Sequence, residues 1–211
     1  MLRRLQQGLE HLYRFSTGLD IVDFLISEEE RDEVQIERTA REQLLLQQDD
    51  DGVALGLFLD SKTLEVLSSL DGTPNLNSIE MGEFLLALEG ISHFVYASRC
   101  ISTERPVSAL ELELQAEVDK YVACLLSGQD APKEASPVLR RRLFEEFEYC
   151  ETLSPGESER YRVANDNAKK YSKTLEDKYV VKDRVPDLYR ELRAFYRMSL
   201  RDKMSFINQA A

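Results

Sequence analysis

The chain is poor in the residues on which site chemistry most often rests: it has three cysteines and two histidines among 211 residues. Cys100, Cys124 and Cys150 are odd in number and widely spaced, and no CxxC pair offers the close thiolates that a zinc site requires. They read as free thiols of a reducing compartment, packed as small hydrophobes. Glycine and proline are scarce as well, 9 and 6, so long stretches run without a breaker and helix is the expected class. No GxxxxGK[ST] loop, no GxGxxG after a strand and no GxSxG elbow is present. Their absence removes the common routes to nucleotide binding and to serine-based acyl transfer. No period of roughly 20 to 50 residues repeats, which excludes a solenoid.

Long hydrophobic runs are also missing. No window approaches the roughly 20 apolar residues expected of a membrane span. Behind Met1–Arg4, the residues Gln6, Gln7, Glu10 and His11 interrupt what a secretion signal would keep apolar. A cytoplasmic protein with no membrane contact is expected, and no cofactor.

Positive charge is in deficit, 27 Lys and Arg against 39 Asp and Glu, a net of -12. Such an average field repels phosphate and argues against general affinity for DNA or an anionic membrane. The deficit is uneven. The first 130 residues carry 10 cations against 25 anions, whereas the last 81 carry 17 against 14. An acidic front joined to a mildly basic rear has a bipolar field, which speaks to association.

What is present is mostly helical periodicity. Leu2, Leu5, Leu9 and Leu12 step by three and four, which predicts an amphipathic helix over roughly 2 to 15, ended by Gly18. Leu19 to Ile26 is a short apolar run that periodicity assigns neither to strand nor to helix. Ser27 to Arg41 holds an acidic run and reads as a solvated loop or helix. Leu44 and Leu46 alternate before Asp49-Asp50-Asp51-Gly52, and Val53, Leu55, Leu57 and Leu59 alternate after it. This predicts a β-hairpin at 42–59 whose acidic turn is turn chemistry and not a calcium loop. Asp60 and Ser61 suit the cap of a short helix to about Ser69, and Asp71-Gly72-Thr73-Pro74 breaks the chain.

Asn77 or Ser78 then caps a helix with Met81, Phe84, Leu85, Leu88, Ile91 and Val95 on one face. Pro106 opens a second, through Val107, Leu110, Leu114, Val118, Tyr121 and Leu125, and the two predict an antiparallel pair near 78–127. The polar stretch 127–136 reads as a linker, with a helix opening at Pro137. Tyr161, Ala164, Ala168, Tyr171 and Leu175 form a seam of coiled-coil spacing. Leu188, Leu192, Phe195 and Tyr196 predict a further helix reaching toward Ile207, with a turn near Val180 to Pro186. The expected fold is mainly α (α+β): an acidic α+β body over 1–130 with one small β-hairpin, followed over 136–211 by a C-terminal helical hairpin.

Two groups of residues are candidates for function. Glu89 and His93 share a helix face, as do Glu113 and Glu117 on the next helix. One imidazole and several carboxylates between helices suit a metal or an acid–base pair. The paired Glu-x-x-His signature of di-iron bundles is absent, and a histidine hydrogen-bonded to a glutamate at the edge of a core is the plainer reading. The second group is a series of aromatic and basic neighbours in the rear: Tyr161, Arg162, Lys170, Tyr171, Tyr189, Arg190, Arg193, Tyr196 and Arg197. Rings beside cations suit RNA, but interspersed acids leave the rear only mildly basic, which fits a protein partner better. The function expected is a non-enzymatic interaction module, an adaptor, chaperone-like cofactor or small regulator, meeting a protein partner or itself through the C-terminal helices. The alternatives are the Glu/His metal site or enzyme, and RNA binding by the rear.

Overall fold

The structure is a computed structural model that describes residues 1–34, 40–49, 52–75, 78–128, 131–146 and 154–210. The expected turn residues Asp50 and Asp51, the cap Asn77 and Cys150 lie outside the described residues. The fold is mainly α with a small sheet, as expected, and its contacts divide it into two compact units.

The first unit comprises Met1–His11 and Phe15–Pro106. Helix α1 (Leu2–Tyr13) stops at Arg14, which takes a left-handed φ of 49°. The unassigned apolar run resolves into a 3-10 turn (Ile21–Phe24) capped by Asp20 and a two-residue strand β1 (Leu25–Ile26). Helix α2 (Glu28–Val34) carries the acidic run. Strands β2 (Glu42–Asp49) and β3 (Gly52–Leu59) form the predicted hairpin, with Asp49 opposite Gly52 and Leu46 opposite Leu55. Gly52 has φ of 149°, a conformation that side-chain-bearing residues avoid. The sheet order is β1-β3-β2, and β1 pairs parallel to β3 through Leu25–Leu57 and Ile26–Phe58. A two-residue strand has no period of its own, and only this pairing defines it.

Helix α3 (Ser61–Ser69) starts where expected because the Asp60 carboxylate accepts from the Thr63 amide at 2.8 Å. Helix α4 (Glu80–Ser102) instead starts at Ile79 without a side-chain cap. By length and composition α4 qualifies as a membrane span, against the expectation that no segment would, but 72% of its apolar window is buried inside the protein. Phe84, Leu88, Ile91 and Phe94 are wholly buried, with Phe94 at 5.2 Å from the Phe24 ring, as in a core helix. Glu83, on the same helix, receives Arg41, Thr63 and Lys62 and ties α3 and the base of the hairpin to α4.

The second unit comprises Leu12–Arg14 and Val107–Ala211. Helix α5 (Ala109–Ser127) begins after Pro106, because the Ser108 hydroxyl caps the Glu111 amide at 3.2 Å and sets the start there. Helix α6 (Pro132–Phe144) begins within the stretch expected to be polar linker: Pro132 occupies the first turn and Pro137 falls inside the helix. A proline costs nothing in the first turn, and its preset φ favours an early start. Helix α7 (Pro155–Leu175) has a full capping box, Ser154 with Glu157. It packs on α5, α6 and α9, and its seam residues Ala164, Ala168, Tyr171 and Leu175 are buried inside the unit. The seam pattern is therefore satisfied internally.

A π turn (Glu176–Val180) prolongs α7, with the Val181 amide reaching back to the Glu176 carbonyl at 3.0 Å. Asp183, at a positive φ of 53°, reverses the chain within the expected turn. Helix α8 (Val185–Tyr196) does not run on to Ile207. It ends at Arg197, and Ser199 caps the Asp202 amide at 3.3 Å to start α9 (Leu200–Ala210). This break turns Lys203 and Ile207 inward, where both are fully buried.

Candidate functional site

Of the Glu/His group, Glu89 and His93 belong to the first unit and Glu113 and Glu117 to the second. On α4, His93 is buried with Nδ1 3.4 Å from Glu42 Oε1 of β2, and Glu89 is half-buried. On α5, Glu113 pairs with Arg160 of α7 at 3.6 Å, and Glu117 with Lys120 at 2.7 Å.

The aromatic and basic group separates by side chain. Tyr171 is fully buried and stacks on Phe195 at 4.0 Å, and Tyr196 is buried and stacks on Tyr13 at 3.7 Å. Burial and its neighbour Glu191 hold the Tyr171 hydroxyl well above its ordinary pKa. Tyr161 and Tyr189 are half-buried, with the guanidiniums of Arg160 and Arg193 over their rings at 5.6 and 5.3 Å. Arg193 donates to the Leu12 carbonyl at 2.7 Å and Arg197 to the Tyr13 carbonyl at 3.1 Å. These two arginines satisfy the open carbonyls at the C-terminal end of α1, where cations are stabilising. Arg162 bridges Glu159 and Asp166 on its own helix, and Arg190 pairs with Asp187. Only Lys170 stands exposed with no ion pair among the described residues.

Around Lys170 the second unit forms a groove of about 540 Å³ between α6 and the end of α7. Arg140 of α6 faces Lys169, Lys170 and Lys173 of α7 and Lys178 of the π turn, and the acids on its lining are Asp166 and Asp177. Beneath it lies the buried carboxylate of Glu176, which accepts from Ser136 at 2.6 Å and attracts Lys173 and Arg140 at 3.3 and 3.4 Å. Lys169 pairs with Glu145 at 2.9 Å, and Lys173 also binds Asp177. That bond to Asp177 is the main reason the Lys173 ammonium is held above its ordinary pKa. Lys178 lies 5.9 Å from the Phe206 ring of α9. The shielded Nε–H of Arg140 has no hydrogen-bond partner among the described residues.

Sequence periodicity picks out Lys170 but misses the convergence of Arg140 with residues 169–178. The only local signal is the run Arg140-Arg141-Arg142, three cations on successive positions of one helix. A second cavity, of about 380 Å³, lies in the first unit at the C-terminal ends of β1 and β3 and contains Arg31 and Arg41. Both are already matched, Arg31 by Glu28, Asp32 and the Ala40 carbonyl, and Arg41 by Asp60 and Glu83. In the α6–α7 groove, by contrast, Lys170 and Lys178 line the wall without an ion pair among the described residues. Its walls offer charged donors along a trough, a means of holding an anionic chain. No protein-family model, curated protein or solved structure matches this chain.

Proposed function

We propose that this protein is a non-enzymatic interaction module that binds an acidic protein partner through its C-terminal helices. The observation that carries this reading is the division of the rear helices into two sides. Their tyrosines 171 and 196 fill the core, while Lys169, Lys170, Lys173 and Lys178 gather with Arg140 along one open groove. Charge arranged this way adds encounter rate and specificity to association and performs no bond chemistry. RNA is less well served, because the rings that would stack on bases are inside or covered by the protein's own cations. The buried thiols Cys100 and Cys124 fit a reducing cytoplasm.

The test is purification of the full chain from its native cell at low salt, with size-exclusion chromatography and light scattering. A discrete complex that dissociates as ionic strength rises is the expected result. A partnerless monomer under those conditions overturns the reading.

A further inference from the structure

We infer that the groove between α6 and α7 seats a short extended segment of the partner, with one carboxylate on the Arg140 guanidinium and its neighbours on the Lys170 and Lys178 ammoniums. This rests on the interaction reading above and specifies its site and ligand chemistry.

Three observations converge. The lining carries Arg140 and four lysines against Asp166 and Asp177, and with Glu145 on Lys169 and Glu176 on Lys173 and Arg140 the trough keeps a small positive excess inside a chain whose net charge is -12. The Arg140 side chain lines the groove, is 17% exposed, and engages Glu176 through Nη1 in a long contact of 3.4 Å. A guanidinium offers a planar fork of donors, and a carboxylate presents the matching pair of acceptors. Lys170 is exposed and unmatched in the same trough.

The length of the occupant follows from helix geometry. From Lys169 to Lys178 the chain rises about 1.5 Å per residue, on the order of 13 Å. An extended peptide covers that distance in about four residues, and its alternate side chains fall on one side about 7 Å apart. Acids at alternate positions thus meet successive cations of the groove.

Carboxylates suit the site better than phosphates. Glu176 already engages Lys173 and Arg140, and Asp177 engages Lys173, so the field is moderate and distributed, matched to single charges spaced along a chain. Among the described residues no ring lines the groove for a base to stack on: Tyr171 is buried against Phe195, and Phe206 has Lys178 over it.

The probe is a fluorescein-labelled hexaglutamate peptide titrated with the full chain and read by fluorescence anisotropy. Saturable binding that weakens with salt is expected, with none for a hexaglutamine control. Lys170→Glu and Arg140→Met are each expected to weaken it about tenfold, whereas Arg201→Glu, the same charge change at an exposed site on α9, leaves it within about twofold. Lys170 is exposed, so its reversal leaves the fold intact, and thermal melting by circular dichroism verifies this. An equal loss from Arg201→Glu reduces the effect to net charge and overturns the site. Tighter binding of hexauridylate with the same dependence on Arg140 and Lys170 overturns the carboxylate assignment, and concentration-dependent dimerisation lost with Lys170→Glu gives the groove to a second copy. A native complex that survives Lys170→Glu sinks the groove alone and leaves the interaction reading standing, whereas absence of any complex removes the reading itself.

Discussion

Tyr13 lies flat on Tyr196, ring centroids 3.7 Å apart and planes 7° from parallel, and donates its hydroxyl to the buried carboxylate of Asp119. Gln115 donates to the same carboxylate at 2.8 Å and to the Tyr13 oxygen at 3.2 Å, and accepts from the fully buried ammonium of Lys203 at 2.8 Å. A carboxylate and an ammonium are thus buried together and joined through one amide, a network that holds only while every member is satisfied. It fastens the last turn of α1 to α5, α8 and α9 inside the second unit.

Tyr13→Phe keeps the ring stack and deletes only the hydroxyl. A hydrogen bond to a buried charge is worth about 1.5–3 kcal/mol. The variant is expected to lose that much in urea unfolding with an unchanged slope. A loss below about 0.5 kcal/mol would show that Asp119 does not depend on the tyrosine.

The protein is expected to lose stability in alkali. Burial, with Asp119 beside it, pushes the Tyr13 hydroxyl well above 10, and burial with Glu191 does the same to Tyr171. Burial also lifts Tyr121, Tyr179 and the Cys124 thiol to about 12. In the unfolded chain these groups ionise near their ordinary values, about 10 for tyrosine and about 8.5 for cysteine. The unfolded state therefore releases protons first, and the stability present below those values falls as pH rises, by about 1.4 kcal/mol per pH unit for each of the buried groups Tyr13, Tyr171, Tyr121 and Cys124 and by less for the half-buried, solvent-screened Tyr179. Urea midpoints from about pH 8 to pH 11 check this. Cys124→Ala is expected to remove the earliest part of the decline, which starts near the cysteine value.

Glu83 sets the acid side of the first unit. Burial raises its pKa, but the hydrogen bonds from Lys62, Thr63 and Arg41 outweigh this and hold it below its ordinary 4.5. Its contribution is present above that value and is lost as pH falls through the depressed one. Glu83→Gln should cost about 1–2 kcal/mol at neutral pH, discounted from a buried pair because Arg41 and Lys62 return to water. The gap from the parent should shrink below about pH 4, and a gap constant with pH would contradict the ionic account.

Gly90 on α4 marks a tight approach. A Cβ there would lie 2.9 Å from Glu42 Cγ and Oε1 and 3.0 Å from Leu57 Cδ1. Leu57 is wholly buried, so the hairpin base has nowhere to retreat. Gly90→Ala is expected to lower stability by about 1–3 kcal/mol, although alanine is the better helix former. Thermal unfolding would show the sign, and a more stable variant would refute the close packing.

Much of the secondary structure is readable along the chain. The Leu44–Leu59 alternation, the Asp60 cap and the three-and-four spacing from Tyr161 to Leu175 all correspond to elements seen, because each depends on neighbours within a few residues. Where the reading departs, a short-range competitor or a distant partner decided. Ser108 capped α5 past Pro106, Pro132 started α6 ahead of Pro137, and Ser199 broke the last helix. β1 exists only by pairing with β3, some thirty positions later.

By itself the sequence determined the helical class, the hairpin, the acidic excess and the lack of any reaction motif, since composition and periodicity are local properties of the chain. Only the tertiary structure decided that Tyr171 and Tyr196 turn inward, that Arg193 and Arg197 cap α1, and that Arg140 meets the lysines of α7. Helical spacing says which residues share a face, but the helix that covers that face comes from elsewhere in the chain. Charge acts through space, so a groove of cations drawn from two helices has no signature along either one.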